Sequence, residues 1–109
     1  MGLKRGEVYW VRFDPAVGSE IQKTRPAVIV SNNQANKYLN RVQVIPITSQ
    51  IDKLYPSEAL VTVQGKRCKA AADQLRTVAK ERLYEKIATL TSEEMRRIEQ
   101  AIRVQLGME

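Results

Sequence analysis

The chain has no histidine. That absence excludes Ser-His and Cys-His dyads, His-ligated zinc and the paired-histidine chemistry of many ribonucleases. Any catalysis must draw on Arg, Lys, Asp, Glu, Tyr, Ser or Thr. A single cysteine, Cys68, rules out an intrachain disulfide and a cysteine-rich metal site. No apolar run approaches the ~18–20 residues of a membrane-spanning helix. Met1 to Gly6 carry no apolar stretch behind their basic residues, so no signal peptide is expected. Gly6 stands where a myristoylation motif needs Ser or Thr. The expected compartment is the cytosol, with no membrane partner.

What is present suits a soluble globular domain: 43% of the 109 residues are apolar and 28% charged. A single domain over residues 1–109 is expected. Eighteen basic against twelve acidic side chains leave a net charge of +6. Residues 1–77 hold twelve of the basic and six of the acidic groups, and residues 78–109 six of each. The whole excess therefore lies in the first two thirds, which favours a polyanion partner. An ordinary solvated basic surface would have the same composition.

Glu7–Phe13 is β-branched and aromatic and reads as a strand, with Tyr9 and Trp10 suiting its core better than a base-stacking platform. Asp14-Pro15 ends it, and a long loop runs to Thr24. Pro26–Ser31 is nearly all apolar and reads as a central strand, with Pro26 tolerable at its first position. Asn32–Asn40 reads as a polar connection. Arg41–Thr48 is a third strand, in which Pro46 suggests an edge or a bulge. After a loop from Gln50 to Ser57, Ala59–Val63 alternates and stops at Gly65. Lys69–Leu75 is expected to be a fifth strand, Lys80–Glu85 a helical turn and Lys86–Leu90 a short strand.

The C-terminal helix has the clearest signature. Thr91-x-x-Glu94 forms a capping box, with Leu90 and Met95 placed for a hydrophobic staple. Met95, Ile98, Ala101, Ile102 and Leu106 define one apolar face, and Gly107 stops the helix. Short strands with one terminal helix predict a mainly β fold, a small bent antiparallel sheet or barrel.

An ordered set of motifs carries a resemblance. Arg5-Gly6-Glu7-Val8-Tyr9-Trp10-Val11 is followed by Asp14-Pro15, Val17-Gly18-Ser19-Glu20 and Lys23-Thr24-Arg25-Pro26. Pro46-Ile47-Thr48-Ser49 and Asp73-Gln74-Leu75-Arg76-Thr77 come later. Over essentially its whole length the chain resembles the MazF/PemK family of toxins. The resemblance implies an SH3-like small barrel, the plasmid-maintenance toxin fold, assembled as a homodimer. It implies the toxin of a type II toxin–antitoxin system, a metal-independent, sequence-specific endoribonuclease that needs no cofactor. Such an enzyme cuts single-stranded RNA to a 2′,3′-cyclic phosphate or 3′-phosphate and a 5′-hydroxyl, and a cognate acidic antitoxin blocks its groove. By matching position, Arg25 and Thr48 take the catalytic assignment. PemK-type members have a histidine where this chain has Ser19 and an arginine where it has Ala71, so the Arg-Thr arrangement is expected.

The residues themselves agree with those roles. Cleavage by a ribose 2′-hydroxyl needs a proton acceptor, charge stabilisation of the phosphorane and a proton for the leaving 5′-oxygen. Arg25 suits the second task, since its planar fork holds two phosphate oxygens and stays charged. Its pKa above about 12 makes it an awkward proton shuttle. The Thr48 hydroxyl can bond a phosphate oxygen at a strand end. Glu20, close in sequence, is a candidate acceptor or an orienter of Arg25. Asp73 either supports catalysis or pairs with Arg76. Expected RNA contacts are Ser19, Lys23, Thr24, Ser49, Gln50, Lys53, Lys69, Gln74 and Arg76. Helix 91–106 or strand Arg41–Thr48 is expected near the dimer axis.

Two other functions fit parts of the chain. A non-enzymatic gyrase poison of the CcdB kind shares the barrel but uses a C-terminal tryptophan, whereas this chain ends Leu106-Gly107-Met108-Glu109. An RNA-binding SH3-like module explains the charge but not the pairing of Arg25 with Thr48.

Overall fold

The central strands are apolar on both faces because both faces are covered. The computed structural model describes residues 2–14, 17–18, 20 and 23–109. Its elements are β1 (Glu7–Arg12), β2 (Thr24–Ile29), α1 (Asn33–Tyr38), β3 (Arg41–Thr48), β4 (Glu58–Val63), β5 (Lys66–Ala71), β6 (Arg76–Ala79), β7 (Leu83–Thr89) and α2 (Ser92–Leu106). The sheet runs β4-β5-β3-β2-β1-β7, and β6 adds to β3. Every pairing is antiparallel. This mainly β, half-barrel architecture with a C-terminal helix is the expected class.

Alternation divides the apolar side chains between two cores. Val8, Val28, Ile45, Ile47, Val61 and Ala70 pack with Ile98 and Ala101 of α2. Val11, Ala27, Ile29, Val42 and Val44 pack with Phe13 and Val78 on the opposite side. Thus Ala27, Val28 and Ile29 are all fully buried, and the continuous apolar run of β2 follows from burial on both faces.

β3 has two partners on one edge. Arg41–Val44 pair with β6, while Ile47 and Thr48 pair with β5. Pro46 is therefore on neither an edge strand nor a bulge of the β2 ladder. It pairs with Ala27 on one side and lies at the gap between β6 and β5 on the other, where no pairing is interrupted. Pro26 is the third residue of β2 rather than the first. It lies beyond the last β2–β3 pair, where only β1 is laddered.

Other boundaries also differ from expectation. Asn33–Tyr38, within the expected polar connection Asn32–Asn40, is a helix. It is short and lacks an apolar stripe, so anchoring holds it. The Asn32 side chain accepts from Ala35 N–H at 2.9 Å, and buried Asn36 donates to the Ser31 carbonyl at 2.9 Å. The fifth strand is Lys66–Ala71, and Ala72–Gln74 forms a tight helical turn. Gln64 (φ 52°) and Gly65 (φ 79°) make a two-residue hairpin between β4 and β5 with positive φ at both positions. Only Gly65 signals that turn in sequence. Lys80–Arg82 is a second tight turn, and β7 starts earlier than expected, at Leu83.

The helix signature holds in detail. Glu94 N–H donates to Thr91 Oγ1 at 3.1 Å, and Thr91 N–H donates to Glu94 Oε1 at 2.9 Å. Gly107 closes the helix at φ 70°. Leu106 departs from the predicted stripe, being 56% exposed. The second carboxylate oxygen of Glu94 accepts the Thr62 N–H at 2.7 Å, and Arg97 Nε donates to the Leu60 carbonyl at 3.3 Å. The outer edge of β4 is thereby capped by side chains of α2.

Burial pushes the Glu94 carboxyl up, but hydrogen bonds from Thr91 and Thr62 outweigh it and hold its pKa below the ordinary 4.5. A lowered folded pKa gives stability that is complete above the unfolded value and is lost as pH falls through the folded one. Glu94→Ala, which removes the cap and the β4 edge contact together, is expected to cost about 2 kcal/mol in urea unfolding at neutral pH. Glu94→Gln should show a smaller loss of stability below pH ~4.5 than wild type. Equal acid sensitivity of the two would contradict this assignment.

Candidate active site

Antiparallel pairing brings the start of β2 beside the end of β3. The last ladder pair is Ala27 with Pro46. Arg25 and Thr48 lie two residues further on, one on each strand. Val11 of β1 pairs with Arg25 from the other side. The Arg25 backbone is thus held in a ladder while its side chain remains exposed.

Two adjoining clefts share Arg25, Thr48 and Ser49. The first, of about 360 Å³, is completed by Gln50, Glu58, Ala71, Asp73 and Gln74. The second, of about 290 Å³, includes Trp10, Thr24, Pro26, Gln64, Lys66 and Cys68. Thr48 Oγ1 accepts the Gln50 N–H at 3.3 Å, leaving the hydroxyl hydrogen to donate elsewhere. Asp73 and Gln74 reach the first cleft on the turn that follows β5. That turn is pinned by Ala72 N–H to the Ser57 carbonyl at 3.0 Å.

Of the sequence-derived candidates, Arg25, Thr48, Asp73, Thr24, Ser49, Gln50 and Gln74 come together around these clefts. The others do not. Glu20 binds the Val17 N–H through Oε1 at 2.7 Å, so its carboxylate closes its own turn. Lys23 has φ 70°, its N–H donates to Asp14 Oδ1 at 2.8 Å, and it lines neither cleft. Lys53 contributes a backbone carbonyl to Lys69. Arg76 lies over the Phe13 ring, 5.4 Å from its centroid, and among the described residues no ion pair joins it to Asp73. Lys69 is a buried residue paired with Glu58 at 3.0 Å rather than a cation offered to solvent. Ser19 lies outside the described residues.

Two cleft residues, Glu58 and Gln64, were not singled out by sequence reasoning, whereas Lys66 is one of the basic residues expected to contact phosphate. Glu58 enters because its partner across the hairpin is Ala71, which has no signature along the chain. Gln64 and Lys66 flank the β4–β5 turn and reach the second cleft. Trp10, expected on the core side, is 38% exposed and lines the same cleft. Its neighbour Tyr9 points the other way, as successive strand residues must. Tyr9 packs against the second core and donates to Glu7 Oε1 at 3.0 Å. Burial and that carboxylate push its phenol up to about 12, which removes it from acid–base work at neutral pH.

Together the two clefts offer one guanidinium, one ammonium, two carboxylates, three side-chain amides and three hydroxyls, of which that of Thr48 is oriented by the Gln50 N–H. Among the described residues, no group of three or more Asp, Glu, His or Cys side chains is placed to hold a metal ion. None of the helices is long and apolar enough to cross a membrane, among the described residues.

Comparison with known proteins places this geometry in context. A family model for the PemK-like, MazF-like toxin of type II toxin–antitoxin systems matches residues 4–106. The chain is 39% identical over 115 aligned positions to endoribonuclease MazF9 of Mycobacterium tuberculosis (strain ATCC 25618 / H37Rv), covering 97% of this chain and 98% of that one. The crystal structure of MazF (Form-I) from Deinococcus radiodurans superposes with a TM-score of 0.87 at 25% identity, over 99% of each chain. A mycobacterial endoribonuclease in complex with its cognate antitoxin superposes with a TM-score of 0.83 at 23% identity, over 98% of this chain and 97% of that one.

Trp10 is the sole tryptophan, so its emission reports on the second cleft alone. A short 2′-O-methylated single-stranded RNA should change that emission on titration, and raising the salt should weaken the midpoint. Saturable binding with no change in Trp10 emission would place the ligand elsewhere.

Proposed function

The chain belongs to the PemK-like, MazF-like family of type II toxin–antitoxin toxins, and on that premise we propose that it is a sequence-specific endoribonuclease whose scissile phosphate sits on Arg25 and Thr48. The observation that carries the assignment is the sharing of both clefts by these two residues. RNA passing from one cleft to the other must cross them.

The 2′-oxygen attacks the adjacent phosphorus as its proton leaves, and the bond to the 5′-oxygen breaks. A 2′,3′-cyclic phosphate and a 5′-hydroxyl result. The Arg25 fork holds two non-bridging oxygens and balances the charge that grows on them. The Thr48 hydroxyl donates to one of these oxygens, held in orientation by the Gln50 N–H on its lone pair. Asp73, exposed in the same cleft, is the acceptor for the 2′-proton. Glu20 does not take that role, because it lines neither cleft. The 5′-oxygen takes its proton from water. None of these steps calls on a metal or cofactor.

Trp10 and Lys66 in the second cleft suit a base face and a phosphate. The partner antitoxin is expected to be acidic, since it competes with RNA for Arg25 and Lys66. The protein acts as a homodimer in the cytoplasm, where its RNA is. Of the two elements expected at the two-fold, β3 is laddered on both edges and buried on both faces. That leaves α2, whose far end exposes Val104, Leu106 and Met108.

Incubation of the purified protein with a long single-stranded RNA in EDTA tests the whole reading. Wild type should cut at discrete positions. Arg25→Ala should lose roughly 10²–10³-fold in rate, and Thr48→Ala and Asp73→Asn should lose roughly 10-fold or more. Glu20→Gln should cut at the wild-type rate. RNA retained in a salt-sensitive way without scission would instead support a binding module, and gyrase inhibition would support a poison.

A further inference from the structure

A buried ion pair stands behind the wall of the first cleft, and the mechanism above does not use it. Lys69 Nζ and Glu58 Oε1 are 3.0 Å apart, and each side chain is only 11% exposed. Glu58 pairs with Ala71 and Leu60 with Lys69, so the two charged groups are diagonal neighbours across the β4–β5 hairpin. On the other edge of β5, the partner of Lys69 is Thr48. Lys69 Nζ also donates to the Lys53 carbonyl at 2.8 Å, and Glu58 Oε1 also accepts the Tyr55 N–H at 2.9 Å. The Tyr55 ring lies 5.9 Å from the ammonium. One charge pair therefore fastens the loop after Thr48, at Lys53 and Tyr55, to the strand beside Thr48.

Glu58 itself lines the cleft with Arg25 and Thr48. A bare carboxylate there would repel a phosphodiester seated on Arg25, and salt screens a largely buried charge poorly. Lys69 cancels that charge from behind, without reaching the substrate.

We propose that Lys69 is a positioning residue that acts through Glu58, neutralising the cleft carboxylate so that RNA phosphate can approach Arg25. This rests on the endoribonuclease reading. It also explains why a lysine in the basic part of the sequence is turned inward. Removal of one partner from a buried pair leaves the other uncompensated, whereas removal of both charges does not. The signature of the pair is therefore rescue by a second substitution.

The probe is a short 2′-O-methylated single-stranded RNA of mixed sequence, which binds but lacks the attacking hydroxyl. Its Kd is measured for wild type, K69M, E58Q and E58Q/K69M, with thermal unfolding of each as a control for folding. K69M should bind about 10-fold more weakly or worse, and E58Q/K69M should return to within about 3-fold of wild type. E58Q alone, which keeps the acceptor of the Tyr55 and Lys69 bonds, should bind as tightly as wild type or tighter. K69M binding like wild type, or E58Q/K69M as weak as K69M, would overturn the proposal while leaving the cleavage reading intact. If K69M does not fold, weaker binding by E58Q would overturn it as well. Wild-type protein that neither cuts nor binds RNA would remove the functional reading first, and this proposal with it.

Discussion

The antiparallel ladder between β2 and β3 is the constraint on which the site depends. Two strands running in opposite directions place the first residues of one beside the last residues of the other. Arg25 is the second residue of β2 and Thr48 the last of β3, so the pairing of Ala27–Ile29 with Val44–Pro46 brings them together. That pairing is itself held from above and below, because Val28 and Ile45 face one core and Ile29 and Val44 the other. A guanidinium mounted there is exposed at its tip and fixed at its base, as electrostatic catalysis requires.

Without histidine, the cleft has no side chain whose ordinary pKa lies near neutrality. Its chemistry is carried by fixed charges and oriented dipoles. Arg25 supplies the positive centre, and Asp73 and Glu58 are the negative ones. The two carboxylates are placed differently. Asp73 is exposed on a turn, while Glu58 is tied to Lys69 and to the Tyr55 N–H. Two groups of one chemical type can thus serve different purposes, set by what each one touches.

The C-terminal helix does more than cover the first core. Its capping glutamate, Glu94, bonds the helix N-cap with one oxygen and the open edge of β4 with the other. Arg97, one turn later, takes the Leu60 carbonyl on the same edge. An edge strand with free backbone groups would invite another chain to pair with it. Here the edge is closed by side chains, and β4 is held in place as one wall of the cleft that Glu58 and the Lys69 pair complete.

The features legible in the chain are those that depend on neighbours in sequence. The capping box at Thr91, the stop at Gly107, the apolar runs of β2 and β3 and the loop-bounded β4 all follow from local spacing and propensity. The ordered motifs around Arg25, Thr48 and Asp73 also point to the site. Helix α1 escaped because its order comes from Asn36 bonding to Ser31 and not from an apolar stripe. The end of β5 escaped because alanines are neutral, and only the partners in β4 decide where that strand stops. Pro46 looked like an edge residue, since a linear pattern cannot reveal that two different strands share one side of β3. The sequence by itself determined the composition of the site: an arginine, a threonine, carboxylates and no imidazole. Only the tertiary structure decided which carboxylates face the arginine, which lysine is turned inward and that Trp10 rather than Tyr9 reaches the cleft. Those choices depend on strand register and on which face is covered, and both are set by contacts between residues far apart in the chain.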